Sequence, residues 1–329
     1  MIISNSLFFA NIPESVQNEK VIAVGLSGGA DSLCLTMFLH QYALNYGLEL
    51  IACFVDHKLR PESSDEILPI ISILKKHRIK YEILVWEHLE NIGGNIEKKA
   101  REARYKLLFN FCKTINCKSL FIAHHKLDQW ETFFMRLSRG SGLGGLSCIS
   151  SMRENDDMKV IRPMLNFSPT DIKETLLERF NIEKYVCDPS NIQPKYERVR
   201  WRNAYALIST QYDLDMDNIN KTIKRLQLAN DFLNELAKST ANEIFQNGYI
   251  NISKFKALHT ELKMRVLNII IQLCSNRVDI ISYSLLERVS NKLCENGFSA
   301  INLSGLVLRR DKTKNIKVYK EQRINYIIV

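Results

Sequence analysis

The sequence is short of glycine, with 13 in 329 residues, or about 4% where about 7% is usual. Seven of them fall in two clusters: Gly25, Gly28 and Gly29, and Gly140, Gly142, Gly144 and Gly145. A chain this sparing keeps glycine for places where backbone must turn tightly or let a partner approach. The eight cysteines include no C-x-x-C pair, which argues against a disulfide framework or zinc site and for reduced thiols. The lysine-bearing phosphate loop G-x-x-x-x-G-K-[ST] is absent. No apolar run approaches the ~20 residues of a membrane span. Met1–Ala10 has neither a basic start nor a long apolar stretch, so an unexported, soluble, cytoplasmic protein is expected. With 46% hydrophobic and 25% charged residues, the chain is not disordered and has apolar content for a sizeable core.

The charge is unevenly spread. Residues 1–215 hold 27 Lys+Arg against 26 Asp+Glu, and residues 216–329 hold 18 against 10. A near-neutral first part and a basic second part suggest a reaction domain followed by one that meets a polyanion. Hydropathy divides the chain at the same place. Short apolar runs at Val21–Leu26, Leu48–Val55, Tyr81–Trp86 and Ser119–Ala123 alternate with helical stretches at Asp31–Tyr46, Ser64–Arg78 and Asn95–Thr114. That order predicts a doubly wound, mostly parallel α/β sheet with helices on both faces. Beyond about 215, Asn218–Asn247, Ser253–Cys274 and Ser282–Glu295 read as helices. Ala300–Leu303, Leu306–Arg310 and Asn315–Tyr319 read as a small antiparallel patch. The expected domains are therefore 1–215, catalytic, and 216–329, basic and mainly helical.

Parallel sheets bind ligands beyond the carboxyl ends of their strands, so the residues that follow each strand come first. The first strand runs into Ser27-Gly28-Gly29-Ala30-Asp31-Ser32 and then an apolar helix. Strand, Gly-Gly turn and helix point backbone N–H groups at one spot, an anion cradle if it is more than a turn. Asp56 and His57 follow the second strand. Arg101 and Arg104, one helical turn apart, can fork onto phosphates or lie in a solvated stripe. After the fourth strand come His124 and His125, then Asp128, Glu131 and Thr132 on one helical face. Asp128 and Glu131 could hold Mg²⁺ or an amine. The Gly140–Gly145 cluster contains G-x-G-x-x-G but follows a helical stretch, which excludes a dinucleotide site. Arg198, Arg200 and Arg202 flank Trp201, a pattern suited to phosphate and base contact.

The hexapeptide S-G-G-x-D-S after a first strand resembles the PP-loop of the N-type ATP pyrophosphatases. The segments that follow are similar to one branch, tRNA(Ile)-lysidine synthase. They are Val55-Asp56-His57-Lys58-Leu59-Arg60-Pro61-Glu62-Ser63, Glu97 to Tyr105 as E-x-x-A-R-x-x-R-Y, and Ala123 to Thr132 as A-H-H-x-D-D-Q-x-E-T. Further on come Arg139-Gly140-Ser141-Gly142 to Leu146 as R-G-S-G-x-x-G-L, Arg162 to Leu165, and Asp188-Pro-Ser190-Asn191 with Arg198 to Arg202. Leu127 departs from the pattern, standing where the first Asp is usual, and Val199 replaces a common Asn.

The resemblance covers about residues 20–205. It implies a ligase that uses ATP to adenylate the C2 oxygen of the wobble cytidine in a CAU anticodon, after which free L-lysine displaces AMP. It implies Ser27–Ser32, Asp56, His57 and Arg139–Gly142 at ATP, and Asp31, Arg101, Arg104, Asp128 and Glu131 in catalysis, with Mg²⁺ at Asp128 and Glu131. His124, His125, Asp188, Ser190, Asn191, Arg198, Arg200 and Arg202 are expected at tRNA or substrate. Arg309, Arg310 and Lys312 are expected on the tRNA body, because residues 309–323 carry seven Lys/Arg against two acids. Neither membrane nor DNA is an expected partner, and a homodimer is compatible with the chain. The alternatives are a PP-loop tRNA 2-thiolation enzyme, which the absent C-x-x-C disfavours, and a non-catalytic tRNA-binding protein, which leaves the cradle unexplained.

Overall fold

The computed structural model describes residues 1–58, 67–87, 96–155, 158–186, 193, 195, 197–212, 214–275, 281–313 and 315–321, excepting the side chains of Ile96 and Glu97. Leu59–Ser63 and the expected substrate residues Asp188, Ser190 and Asn191 lie outside the described residues. The chain divides into two compact units, residues 1–141 with 145–224, and residues 142–144 with 225–329.

The first unit contains α1 (Asn5–Phe9), β1 (Val21–Leu26), α2 (Ala30–Tyr46), β2 (Glu49–Asp56), α3 (Leu68–Lys76), β3 (Lys80–Val85), α4 (Ile96–Thr114), β4 (Ser119–Phe121) and α5 (Lys126–Leu137). The four-residue α6 (Leu143–Leu146) precedes the hairpin β5 (Met152–Asn155) and β6 (Met158–Ile161), then α7 (Pro169–Glu178), α8 (Glu197–Tyr212) and the start of α9 (Met216–Ile244). The sheet order is β3-β2-β1-β4-β6-β5. All pairs are parallel except β5–β6. Strand order therefore reverses between β1 and β4, and the crevice outside their carboxyl ends is where such a sheet binds ligands.

Local sequence explains the elements around that crevice. Strand β1, VIAVGL, is covered on both faces, as its unbroken apolar run requires. Helix α2 buries residues right round its circumference, from Leu33 and Cys34 to Phe38 and Leu39, and ends at Gly47 in the left-handed region. Phe38 stacks on Phe8 with ring centroids 4.4 Å apart. On the sheet's other face a smaller core holds Cys53, Cys112 and Cys117 with Leu108, Leu120 and Met158. These thiols are packing groups, and burial pushes Cys53 up to about 12.

The β5–β6 hairpin escaped the sequence reading because M-R-E-N is the sheet's edge strand, where charge is tolerated and guards against further pairing, and M-K-V-I beside it is only four residues long. Helix α7 was also unanticipated, although Ser168 and Asp171 form a capping box and Pro169 opens the helix. The two units divide after Lys224 rather than at the expected 215/216. Helix α9 begins at Met216, but Ile219 and Ile223 in its first turns pack against Trp130, which keeps residues up to Lys224 in the first unit.

The second unit holds the remainder of α9, α10 (Ile252–Ala257), α11 (Thr260–Ser275) and α12 (Tyr283–Cys294). Its antiparallel sheet has the order β7-β8-β11-β10-β9, with β7 (Phe245–Gln246), β8 (Tyr249–Ile250), β9 (Ala300–Leu303), β10 (Leu306–Arg310) and β11 (Ile316–Lys320). The helix expected over Ser253–Cys274 is two helices. Asn251, not Ser253, caps α10, and Leu258 turns extended to end it.

Arg310, expected on the tRNA surface, is used differently. Its Nη1 donates to Asn296 O at 2.9 Å, and its Nη2 to Glu295 O at 2.9 Å and Leu293 O at 3.2 Å. It thereby satisfies carbonyls at the carboxyl end of α12, where a cation is favoured. Arg309 and Lys312 stay exposed. Arg310→Ala is expected to destabilise this unit by about 2 kcal/mol, since charge-assisted bonds are removed. Urea unfolding checks this, and an unchanged midpoint would contradict it.

Candidate active site

The cradle forms where β1 hands over to α2. Gly28 has φ +83°, and a Cβ there would meet Val186 Cγ2 at 2.9 Å, so both conformation and space require glycine. Val186 N donates to Gly28 O at 2.9 Å, bracing the turn from outside. Gly29 caps α2 without any side-chain hydrogen bond. The first N–H groups of the helix thus have no side-chain cap, and the helix dipole adds positive potential, which is what an anion needs. Ser32 Oγ donates to Gly29 O at 3.0 Å, accepts from Ser27 N at 3.2 Å and lies 3.1 Å from Ser27 Oγ. These hydroxyls hold the loop in shape before any ligand arrives. Ala30, buried, begins the helix.

Two more strand ends and helix α4 supply side chains. Beyond β2, buried Asp56 accepts Lys58 N at 2.9 Å, and His57 Nε2 lies 3.2 Å from Arg104 Nη2. The Asp56-His57 segment and the α4 arginines, 47 residues apart, therefore meet. Arg101 lies over the Tyr105 ring, 5.4 Å from its centroid. Beyond β4, His125 caps α5, its Nδ1 accepting from Asp128 N while Asp128 Oδ2 accepts from His125 N at 2.8 Å. The acceptor at Nδ1 places the His125 proton on Nε2, 3.7 Å from Asp31 Oδ2. This contact joins the β4 end to the cradle.

The carboxylates differ in environment. Burial pushes the Asp31 carboxyl up, with Asp128 adding repulsion against the opposing pull of His125, and its Oδ1 is buried without a hydrogen-bond partner. For Asp128 burial also acts upward, but His125, His124, the His125 backbone N–H and Arg198 together hold it below the usual range. Glu131 is fully buried. Burial and Asp128 raise it, although its Oε1 takes Arg202 Nη2 at 2.7 Å and Nε at 2.8 Å. Glu131 Oε2 has no partner.

The structure leaves other expectations apart. Arg139 forms an ion pair with Glu197 at the start of α8. Gly140 has φ +67°, as the turn after α5 requires. A Cβ on Gly145 would meet Ser141 Cβ at 2.6 Å, so close packing of that loop explains part of the second glycine cluster. Gly142 is grouped with the second unit. Arg200 Nη1 donates to Lys195 O at 3.0 Å, while Arg198 is exposed and acts on His124 and Asp128 through its charge. The metal expectation changes most. Among the described residues no group of three or more His, Cys, Asp or Glu is placed to hold a metal ion. Asp128 is engaged as a cap and Glu131 Oε1 by Arg202, which leaves Asp31 Oδ1, in the cradle itself, and Glu131 Oε2 as buried carboxylate oxygens without a partner. Leu127 packs with Trp130, Ile219 and Ile223, so the side of α5 that departs from the family pattern faces an apolar cluster.

The PP-loop domain family matches residues 5–207. The tRNA(Ile)-lysidine synthase of Wolbachia pipientis wMel is 36% identical over 335 residues, 98% of this chain and 76% of that one. The chain belongs to the tRNA(Ile)-lysidine synthase family. Its members in Orientia tsutsugamushi and Rickettsia bellii are 36% and 28% identical, covering 69% and 91% of this chain and 50% and 69% of their own. Among solved structures, the U34-tRNA thiolase NcsA from Methanococcus maripaludis with its [4Fe-4S] cluster has TM-score 0.58 at 20% identity, covering 68% of this chain and 77% of that one. That likeness is one of fold. Members of the family share the PP-loop domain of ATP-using ligases, and the cysteines of this chain that pack beneath the sheet are not placed as a cluster site. Two residues of interest were missed in the sequence reading. Val186 carries no polar signal. Arg162 was noted as part of a motif without a role, and its side chain reaches His124.

Proposed function

We propose that this member of the family adenylates the C2 oxygen of the wobble cytidine in the CAU anticodon of tRNA(Ile) at the Ser27–Ser32 cradle, then joins the base to free L-lysine. In the first half-reaction the C2 oxygen attacks the α-phosphorus of ATP and pyrophosphate leaves. In the second, the lysine ε-amine attacks C2, the C2–O bond breaks with AMP, and the amine loses a proton. The observation that carries this reading is the side-chain-uncapped N-terminus of α2 meeting Asp31, His125 and Asp128 at the switch point of the sheet.

The roles follow from the charges. Backbone N–H groups of the cradle hold phosphate oxygens. Arg101 and Arg104 neutralise charge developing on the leaving pyrophosphate. ATP carries Mg²⁺, which supplies charge neutralisation on the phosphates, and Asp31 is the carboxylate that fits it, because such sites need only one or two carboxylates beside the phosphates. Asp128, held ionised, attracts the lysine ammonium, and the Glu131–Arg202 pair fixes the wall beside it. Arg198 and Arg200 face tRNA phosphate or base.

The basic second unit holds the tRNA body through exposed Arg309, Lys312, Lys317 and Lys320. Neutralising Arg309 and Lys312 together is expected to lower tRNA affinity and to reduce the slope of log affinity against log salt by about 2, one counterion for each phosphate no longer neutralised. Affinity unchanged across a salt series would overturn that assignment. Among the described residues no helix is long and apolar enough to cross a membrane.

The reading is tested by pyrophosphate release from ATP with an unmodified tRNA(Ile) transcript and no lysine. Release with a wobble C and none with a wobble U is expected. Equal release with both transcripts, or none with either, would reject cytidine adenylation.

A further inference from the structure

Arg162 follows the carboxyl end of β6 and is buried, yet the reaction described above gives it nothing to do. Its contacts are with neutral groups. Nε donates to His124 Nδ1 at 3.2 Å, Nη1 donates to Ser150 O at 3.0 Å, and the Tyr105 hydroxyl bonds the guanidinium from α4. Among the described residues no carboxylate forms an ion pair with it. A guanidinium buried this way is costly, so its purpose lies in what it touches.

An imidazole nitrogen that accepts a hydrogen bond carries no proton, so the neutral ring must keep its proton on Nε2. A guanidinium does not deprotonate, so this partner, unlike a carbonyl or carboxylate, can never accept from Nδ1. We infer that Arg162 is a positioning residue: by occupying Nδ1 it locks His124 as a neutral donor at Nε2, at the carboxyl end of β4 next to His125. The inference rests on reading this edge as the reaction site. A donor fixed in that form meets developing charge on an oxygen without rearranging, which is how preorganised donors accelerate a step.

The surrounding charges act in the same direction. Burial of His124 dominates and, with Arg162 beyond β6, Arg101 on α4 and Arg198 on α8, pushes its pKa down to about 4 against the opposing pull of Asp128 on α5. Removing Arg162 opens Nδ1 to protonation and removes one opposing cation. The neutral ring can then carry its proton on Nδ1 and lose the Nε2 donor, whereas below the ordinary histidine range near pH ~6.5 the imidazolium donates from both nitrogens.

The test uses the full chain labelled with ¹⁵N-histidine, with the His124 ring assigned by loss of its signal in His124→Gln. Long-range ¹H–¹⁵N spectra between pH 5 and 8 should show wild-type His124 neutral, with its proton on Nε2. Arg162→Leu should lose that tautomer. Its kcat for tRNA-dependent pyrophosphate release should fall about tenfold or more at pH 8, where the neutral ring is free to carry its proton on Nδ1. The fall should be less at pH 6, where a protonated ring still donates from Nε2, with KM for ATP within about twofold. Arg162→Lys, which can still donate, should restore the tautomer and part of the rate. In the His124→Gln background, Arg162→Leu should cost nothing further. A wild-type ring protonated on Nδ1, or an Arg162→Leu rate loss equal at both pH values with the tautomer unchanged, would overturn the inference, and the wild-type spectrum decides this even if the leucine variant does not fold. A wild-type protein with the expected tautomer and no pyrophosphate release would instead fail the functional reading.

Discussion

Asp31→Asn should cut tRNA-dependent pyrophosphate release by about 100-fold or more while leaving the protein as stable as before, or more so. The kinetic part follows from position. Asp31 lies at the start of the cradle helix with one oxygen buried and without a hydrogen-bond partner, so under the proposed function its charge acts on ATP. Removing a single preorganised group at a phosphoryl centre costs about 3 kcal/mol, or two powers of ten. The stability part follows from its environment. Burial and Asp128 both disfavour the ionised carboxylate, so the amide relieves a folded-state cost. Activity lost with the melting temperature held or raised marks a group kept for chemistry at the expense of stability. Full activity in the asparagine variant would remove Asp31 from the site.

Arg202→Ala should destabilise the first unit by about 3 kcal/mol, because it leaves a buried carboxylate without its cation. Glu131 is enclosed and Arg202 supplies both of its hydrogen bonds. The loss should depend on pH with a definite sign. The Glu131 carboxyl already lies above its ordinary value of 4.5, and losing Arg202 raises it further. Between the unfolded and folded values the folded state binds more protons, so stability falls as pH rises through that window. Urea unfolding at pH 5 and pH 8 should show the smaller deficit at pH 5, and Glu131→Gln in the same background should restore much of it. A deficit equal at both values, or no rescue by glutamine, would show that Arg202 acts by packing alone.

These two sites also mark how far the sequence could be read. Strand β1, the Gly-Gly turn and α2 were legible because each level agrees: an apolar run, then glycine where φ is positive, then a helix apolar on all sides. The identities of the site residues were legible from their places after strand ends, since a parallel sheet gathers those ends. Their partners were not. Glu131 and Arg202 are 71 residues apart, and nothing in either segment names the other. Local spacing made Asp128 and Glu131 look like a metal pair, but folding turns one into a helix cap and gives the other an arginine. Arg310 looked like its neighbours Arg309 and Lys312, and only the three-dimensional position of the α12 end separates a structural cation from exposed ones. The β5–β6 hairpin failed for a different reason, because an edge strand bears polar residues that periodicity assigns to loops.

The central claim is that the residues gathered at the β1–β4 switch point use ATP to join lysine to the wobble cytidine. The most direct measurement is incorporation of labelled L-lysine into unmodified tRNA(Ile) with a CAU anticodon, with and without ATP. Incorporation that requires ATP, maps to the wobble cytidine and disappears in Asp31→Asn is the predicted result. Pyrophosphate release without lysine incorporation would contradict it, leaving an adenylating enzyme whose nucleophile is something other than lysine.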